Sequence, residues 1–267
     1  MNVLVVGKPK SGTTVISKVI QKSLPAGTRY ALEPSALAFF SAPAPCEGIV
    51  VKTLFDLWRG RREELSAVLA GALPMVFDKR VFTLRDPRDE AISYLLYYAM
   101  GLKRRGDDPA RLARWVDFLR EKEAAPGAIS FLDMVRTLDA LFGLNFLRSL
   151  SSWGGLDEGY SRFLFNLKAD HCVVRYEEFI AGETRGLARY LGVPVSEDRD
   201  VGEALSNTRR SARAGNWKRY FTPEDVDFFK RFQGALARLG YEDWELTPVA
   251  RIPSGEMSGY VERLLRG

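Results

Sequence analysis

Eight residues near the start of the chain, Gly7-Lys8-Pro9-Lys10-Ser11-Gly12-Thr13-Thr14, have the types and spacing to hold an anion. Glycine at the first and sixth positions lets consecutive backbone N–H groups curl inward, and a helix opening behind the loop adds its partial positive charge. The hydroxyls of Ser11, Thr13 and Thr14 can donate as well. This is the glycine spacing of nucleotide-phosphate loops, with one departure. Such loops place lysine directly after the second glycine to meet ATP or GTP. Here Thr13 stands in that place and the lysine is Lys10, three positions earlier. A tight strand–helix turn that binds nothing is the competing reading.

The elements that must present this loop lie around it. Residues 3–6 form a Val/Leu run ending at Gly7, as a buried parallel strand does. Val15, Ile16, Val19 and Ile20 recur at helical spacing over 14–23, and Leu24-Pro25 stops that helix. Further strands are predicted at 48–52, 79–84 and 171–175, and helices at 61–71, 177–191 and 223–239. The helix after 79–84 starts at once: Asp86 is placed to cap it, Pro87 suits its first position and acidic Asp89 its third. Residues 101–170 read as helical without a strand, with breaks at Asp107-Asp108-Pro109 and Pro126-Gly127. After Gly240 the pattern fades. Alternating strands and helices with short links predict an α/β fold, a parallel sheet flanked by helices in the manner of P-loop NTPases. The expected organisation is a single domain over 1–267 with a helical cap inserted at 101–170.

Lysine and arginine exceed aspartate and glutamate by 39 to 34, a net charge of +5. The basic residues fall in short clusters such as Arg61-Arg62 and Lys103-Arg104-Arg105. That pattern reads as ordinary surface charge or as a site for a polyanionic small ligand, and not as a nucleic-acid surface. Two cysteines, Cys46 and Cys172, make no disulfide framework, and His171 alone makes no multi-histidine metal site. No secretory leader is read at residues 2–7 and no stretch approaches the ~20 apolar residues of a membrane span, so a cytoplasmic location is expected.

With the lysine moved to position 10, Pro9-Lys10-Ser11-Gly12-Thr13-Thr14 resembles the 5′-phosphosulfate loop of the sulfotransferase superfamily that uses PAPS, 3′-phosphoadenosine 5′-phosphosulfate. The usual form of that loop is Pro-Lys-Ser-Gly-Thr-Thr. The resemblance implies that Lys10 meets the oxygen bridging phosphate and sulfate and stabilises the leaving phosphate. Arg85-Asp86-Pro87-Arg88-Asp89 with Ser93 is similar to the superfamily's 3′-phosphate motif, an arginine at a strand end and a serine on the next helix. An ion pair for Arg85 and a passive Ser93 are the alternative. The segment from Arg209 to Lys218 partly matches the C-terminal motif, Arg-Lys-Gly followed by Gly-Asp-Trp-Lys. Arg210, Gly215 and Trp217 align with it, while Ser211, Ala212 and Asn216 depart from it. By that resemblance Arg210, with Arg209, joins Arg85 and Ser93 on the 3′-phosphate. Tyr176, in Tyr176-Glu177-Glu178-Phe179, is either near the adenine or a core residue.

Val50-Val51-Lys52-Thr53-Leu54 resembles the family's strand ending in Lys-Thr-His, but Leu54 replaces the histidine that takes the acceptor's proton in cytosolic members. Other branches use a glutamate. Glu33, expected at the end of a short strand near the ligand-binding edge of the sheet, is the candidate base, with Asp56 second. Lys52 then stabilises the transferring group beside Lys10. The implied protein is a bacterial-type sulfotransferase with a non-histidine base. It moves a sulfuryl group in line from PAPS to a hydroxyl of a small-molecule or glycan acceptor, releases adenosine 3′,5′-bisphosphate and needs no metal. A P-loop kinase using ATP–Mg²⁺ and a catalytically silent nucleotide-binding module are the alternatives. Thr13 opposes the first; Leu54 keeps the second open. Trp153, Tyr160 and Phe163 line an acceptor pocket or pack in the core.

Overall fold

A computed structural model of the chain describes residues 1–34, 36–151, 153–208 and 210–266, with the backbone alone at 151 and over 153–158. Its strands are β1 (Asn2–Gly7), β2 (Arg29–Leu32), β3 (Ile49–Leu54), β4 (Lys79–Leu84) and β5 (Cys172–Arg175). Its helices are α1 (Thr13–Ser23), α2 (Leu37–Phe40), α3 (Arg62–Leu69), α4 (Pro87–Arg104), α5 (Pro109–Ala124), α6 (Phe131–Phe142), α7 (Phe146–Ser151), α8 (Trp153–Phe165), α9 (Tyr176–Ile180), α10 (Arg185–Leu191), α11 (Trp217–Tyr220), α12 (Pro223–Lys230), α13 (Gln233–Arg238) and α14 (Ser258–Arg266). The chain forms two compact units, Met1–Arg85 with Phe163–Ser206 and Asp86–Arg162 with Asn207–Gly267.

The first unit carries the sheet, in the order β2-β3-β1-β4-β5 with every neighbour pair parallel. The fold is therefore α/β, a parallel sheet flanked by helices, as the alternation in the sequence predicts. Val3, Leu4, Val5 and Val6 have no exposed surface, which identifies β1 as the central strand buried on both faces. On one face Val3 and Val5 pack with Val50, Val81 and Val174 against Ile16, Val19 and Ile20 of α1 and Leu187 and Leu191 of α10. Because all strands run the same way, the residues that follow them collect along one edge of the sheet. These are the loop after β1, Glu33 after β2, Arg85 after β4 and Tyr176 after β5.

The second unit is helical. Ile92, Leu95 and Leu96 of α4, Trp115 and Leu119 of α5, Phe131 and Leu138 of α6, and Trp217, Phe221 and Phe229 share one core. Lys122 lies inside this unit with no exposed surface. Its ammonium donates to the carbonyls of Pro126 at 2.6 Å, Ile129 at 2.5 Å and Tyr220 at 2.6 Å. One side chain thus ties the end of α5 to the turn before α6 and to the end of α11. Burial draws its pKa down to about 8, against the pull of Asp225 and Asp133.

Three expectations on the elements need correction. The helix predicted over 177–191 is two helices, α9 and α10, because Gly182 adopts φ +92° and turns the chain between them. The helix predicted over 223–239 is interrupted after Lys230, giving α12 and α13. The faded tail contains α14, whose Tyr260, Val261 and Leu264 are buried against α4 and α5.

Lys122→Met removes the donor from three buried carbonyls. It should lower the unfolding free energy in urea by about 2–4 kcal/mol. An unchanged midpoint and slope would show that the three carbonyls do not depend on the ammonium.

Candidate functional site

The loop between β1 and α1 closes around Gly7. A Cβ there would stand 1.9 Å from Thr83 Oγ1 and 2.5 Å from Thr13 Cγ2, so only glycine fits. Ser11 is fully buried; its hydroxyl donates to the Lys8 carbonyl at 2.8 Å and pairs with Thr83 Oγ1 at 2.7 Å. Its side chain therefore braces the loop from within. Lys10 and Gly12 both take left-handed backbone conformations, φ +68° and +85°. Glycine does this freely, whereas a residue with a Cβ is strained by about 1–3 kcal/mol. Gly12 is the N-cap of α1, and that helix opens with neither a side-chain cap nor an acidic residue in its first turn. Thr13 is buried and Thr14 half-buried. The positive end of α1 is thus left to backbone N–H groups, the condition for receiving an anion.

Two residues from neighbouring strand ends reach this loop. Arg85, directly after β4 and only 7% exposed, donates through Nη1 to the Lys10 carbonyl at 2.9 Å. Its guanidinium stands 4.6 Å from the ring centroid of Tyr176, the first residue after β5. The ring of Tyr176 lies on Gly12, where a Cβ would meet Tyr176 Cδ2 at 2.3 Å.

Glu33 and Lys52 come together on the same unit. In the register of the sheet Lys52 pairs with Val5 on one side and Leu32 on the other. The Glu33 N–H donates to the Lys52 carbonyl at 2.6 Å, and the Lys52 ammonium donates to Glu33 Oε1. Lys52 is buried, which lowers its pKa, while the Glu33 carboxylate pulls the other way. The Glu33 side chain keeps 36% of its surface exposed. Glu33 also holds a left-handed backbone, φ +54°. The neighbouring Trp58 Nε1 donates to Thr53 Oγ1 at 2.9 Å, fixing the strand end beside the pair. Asp56 sits exposed on the short turn Phe55–Trp58 and acts electrostatically on Arg62. His171 precedes β5, at the opposite edge of the sheet from the loop. Its Nδ1 pairs with the Ala169 carbonyl at 2.8 Å and its ring packs edge-on to Phe82.

The second unit assembles its own cluster. Ser93, two turns into α4, is 2% exposed and receives Arg210 Nη2 at 3.5 Å, the outer limit of a hydrogen bond. Arg210 Nη1 donates to the Tyr220 hydroxyl at 3.2 Å and to the Glu256 carbonyl at 3.0 Å. Arg210 Nε is buried without a hydrogen-bond partner among the described residues. The Glu256 carboxylate pairs with Arg213 and Arg219 and accepts from Tyr220, so among the described residues the hydrogen-bond partners of Arg210 are all neutral. Arg209 lies outside the described residues. The loop bearing these arginines is anchored by Asp89, whose carboxylate accepts from the Gly215 N–H at 2.8 Å and the Trp217 N–H at 2.9 Å. Arg88 pairs with Asp86 and stands 3.7 Å from the Trp217 ring and 4.7 Å from that of Trp244.

Sequence reasoning missed Asp89, Arg88, Tyr220 and Glu256. Asp89 reads as an ordinary helix-start acid, and the signal that it does more is its lack of exposure, which no local pattern reveals. Tyr160 is buried, and Phe163 packs on Phe55 at 5.2 Å. Trp153 falls where only the backbone is described.

No protein-family model matches the sequence, and no curated protein matches it. Among solved structures, the chain is similar to mouse sulfotransferase SULT7A1 complexed with PAP, at 16% identity and a TM-score of 0.43, over 91% of this chain and 85% of that one. A likeness of that size assigns neither function nor residue roles. No helix among the described residues is long and apolar enough to cross a membrane, and none of their His, Cys, Asp and Glu side chains form a group of three or more that could hold a metal.

Gly12→Ala adds a methyl group against Tyr176 at a position of positive φ. It should cost about 1–3 kcal/mol in denaturant unfolding. Wild-type stability in this variant would mean that Tyr176 is not seated on the loop as described.

Proposed function

We propose that this chain is a sulfotransferase that takes a sulfuryl group from PAPS and gives it to a hydroxyl of a small-molecule or glycan acceptor. The observation that carries the reading is the loop itself: Lys10 in a left-handed backbone, next to a helix N-terminus without a side-chain cap. Thr13 stands where an ATP loop needs lysine, which supports a phosphosulfate over a triphosphate. The residues present fit such a nucleotide. Gly12, Thr13 and Thr14 offer backbone N–H groups, and the threonines hydroxyls, to the 5′-phosphosulfate, while Ser11 keeps the loop closed. Arg85, Ser93 and Arg210, with Arg209, are assigned to the 3′-phosphate, helped by backbone amides of the loop that carries Gly215, and Tyr176 is assigned to the adenine. The neutral partners of Arg210 leave its charge available for an anion.

PAPS supplies a sulfuryl group on a phosphate leaving group. Glu33 accepts the proton of the acceptor hydroxyl as the new S–O bond forms and the bond to the phosphate oxygen breaks. Protonation of Glu33 dissolves its ion pair, and the Lys52 ammonium turns to the charge on the sulfuryl oxygens. Lys10 stabilises the negative charge gathering on the departing phosphate. Glu33 is preferred to Asp56 as base because its carboxylate is held by Lys52, whereas Asp56 lies exposed on a turn.

Lys10→Ala should lower kcat for transfer from PAPS by about 10²–10³-fold, with a native thermal unfolding profile. Undiminished turnover removes Lys10 from the mechanism. In the same assay Glu33→Gln should lose about 10²-fold or more, and full activity there would move the base to Asp56.

A further inference from the structure

We propose that Arg85 and Tyr176 form a clamp that sets the backbone of Lys10, so that Arg85 is a positioning residue for the lysine assigned to the leaving group. The proposal deepens the sulfotransferase reading and rests on it.

Lys10 carries a Cβ at φ +68°, a conformation that persists only where its surroundings over-determine it. The surroundings here are specific. The Lys10 carbonyl accepts from Arg85 Nη1 at 2.9 Å, a charge-assisted bond made by a side chain that packing already holds in place. The guanidinium rests on the Tyr176 ring, and the ring occupies the space a side chain at Gly12 would need. The loop is therefore gripped at two points two residues apart, Lys10 by Arg85 and Gly12 by Tyr176. Both gripping residues directly follow adjacent strands, β4 and β5, whose hydrogen-bonded register fixes their separation. The left-handed turn at Lys10 sets the direction in which its ammonium leaves the loop.

A coupling follows. An arginine that only bound the 3′-phosphate would change affinity for the nucleotide. One that also holds the Lys10 carbonyl makes the attitude of the lysine depend on its own position. An anion drawn to the Arg85 guanidinium would then tighten the grip on Lys10, so that occupancy of the 3′ end prepares the 5′ end for transfer.

The test has two readouts on the full-length chain. The first is hydrogen exchange without nucleotide, followed on a peptide covering residues 8–14. Arg85→Met and Tyr176→Leu should speed exchange there about tenfold or more, with β1 and β3 unchanged. Tyr176→Phe keeps the ring and should stay near wild type. Loop exchange that Arg85→Met leaves at the wild-type rate overturns the clamp, as does a Tyr176→Phe variant that behaves like Tyr176→Leu. The second readout is transfer from PAPS. Arg85→Met should lower kcat about tenfold or more besides raising KM, and Arg85→Lys, which can still reach a carbonyl, should recover part of kcat. A change in KM alone overturns the positioning role. If the wild type transfers no sulfuryl group while the exchange pattern holds, the clamp on the loop stands and the sulfotransferase reading is what fails.

Discussion

The left-handed backbone at Lys10 is the constraint on which the first unit depends. The turn between β1 and α1 must be tight enough to aim N–H groups at one point, and a lysine does not adopt it unaided. Gly7 removes a Cβ that Thr83 would otherwise strike. Ser11 turns its hydroxyl inward to the same threonine and to the Lys8 carbonyl. Arg85 holds the Lys10 carbonyl from the end of β4. A parallel sheet makes this economical, because every strand delivers its C-terminal residue to the same edge. Positions far apart in sequence thus meet around one loop, and the Glu33–Lys52 pair sits on the same edge for the same reason.

Charge is used differently in the second unit. Asp89, Asp86 and Arg88 read as a charged helix start, yet all three are buried and spent on holding the segment from Gly215 to Trp217 against α4. Glu256 pairs with both Arg213 and Arg219. Arg210 sits among hydroxyls and a carbonyl instead. Among the described residues, Arg213 and Arg219 thus have a carboxylate partner, and the hydrogen-bond partners of Arg210 are neutral. Lys122 underlies this arrangement by holding the Tyr220 carbonyl, while the hydroxyl of the same tyrosine meets Arg210.

The strands, their direction and the loop were legible because they depend on local signals: a Val/Leu run, a glycine at a sharp turn, an Asp-Pro helix start. Asp86 as cap is one such case, since its side chain accepts from the Arg88 N–H. Helix breaks were less legible. Apolar spacing runs on through Gly182 and Phe232, and only the turn geometry ends α9 and α12. α14 was hidden because a nine-residue helix needs packing partners, which α4 and α5 supply from far upstream. At the candidate site, the motifs named candidates such as Lys10, Arg85 and Ser93, but not what they touch, nor Asp89 or Glu256. That Arg85 bonds Lys10, that Glu33 pairs with Lys52, and that Asp89 grips Gly215 all follow from strand order and packing.

The central claim is that the loop receives a nucleotide carrying anions at both its 5′ and 3′ ends. Titration calorimetry of the full-length chain with adenosine 3′,5′-bisphosphate, run beside ATP with Mg²⁺, tests it most directly. The bisphosphate is predicted to bind with a dissociation constant at least about tenfold lower than that of ATP–Mg²⁺, a difference of about 1.4 kcal/mol. Tighter binding of ATP–Mg²⁺, or no binding of the bisphosphate, would contradict the account.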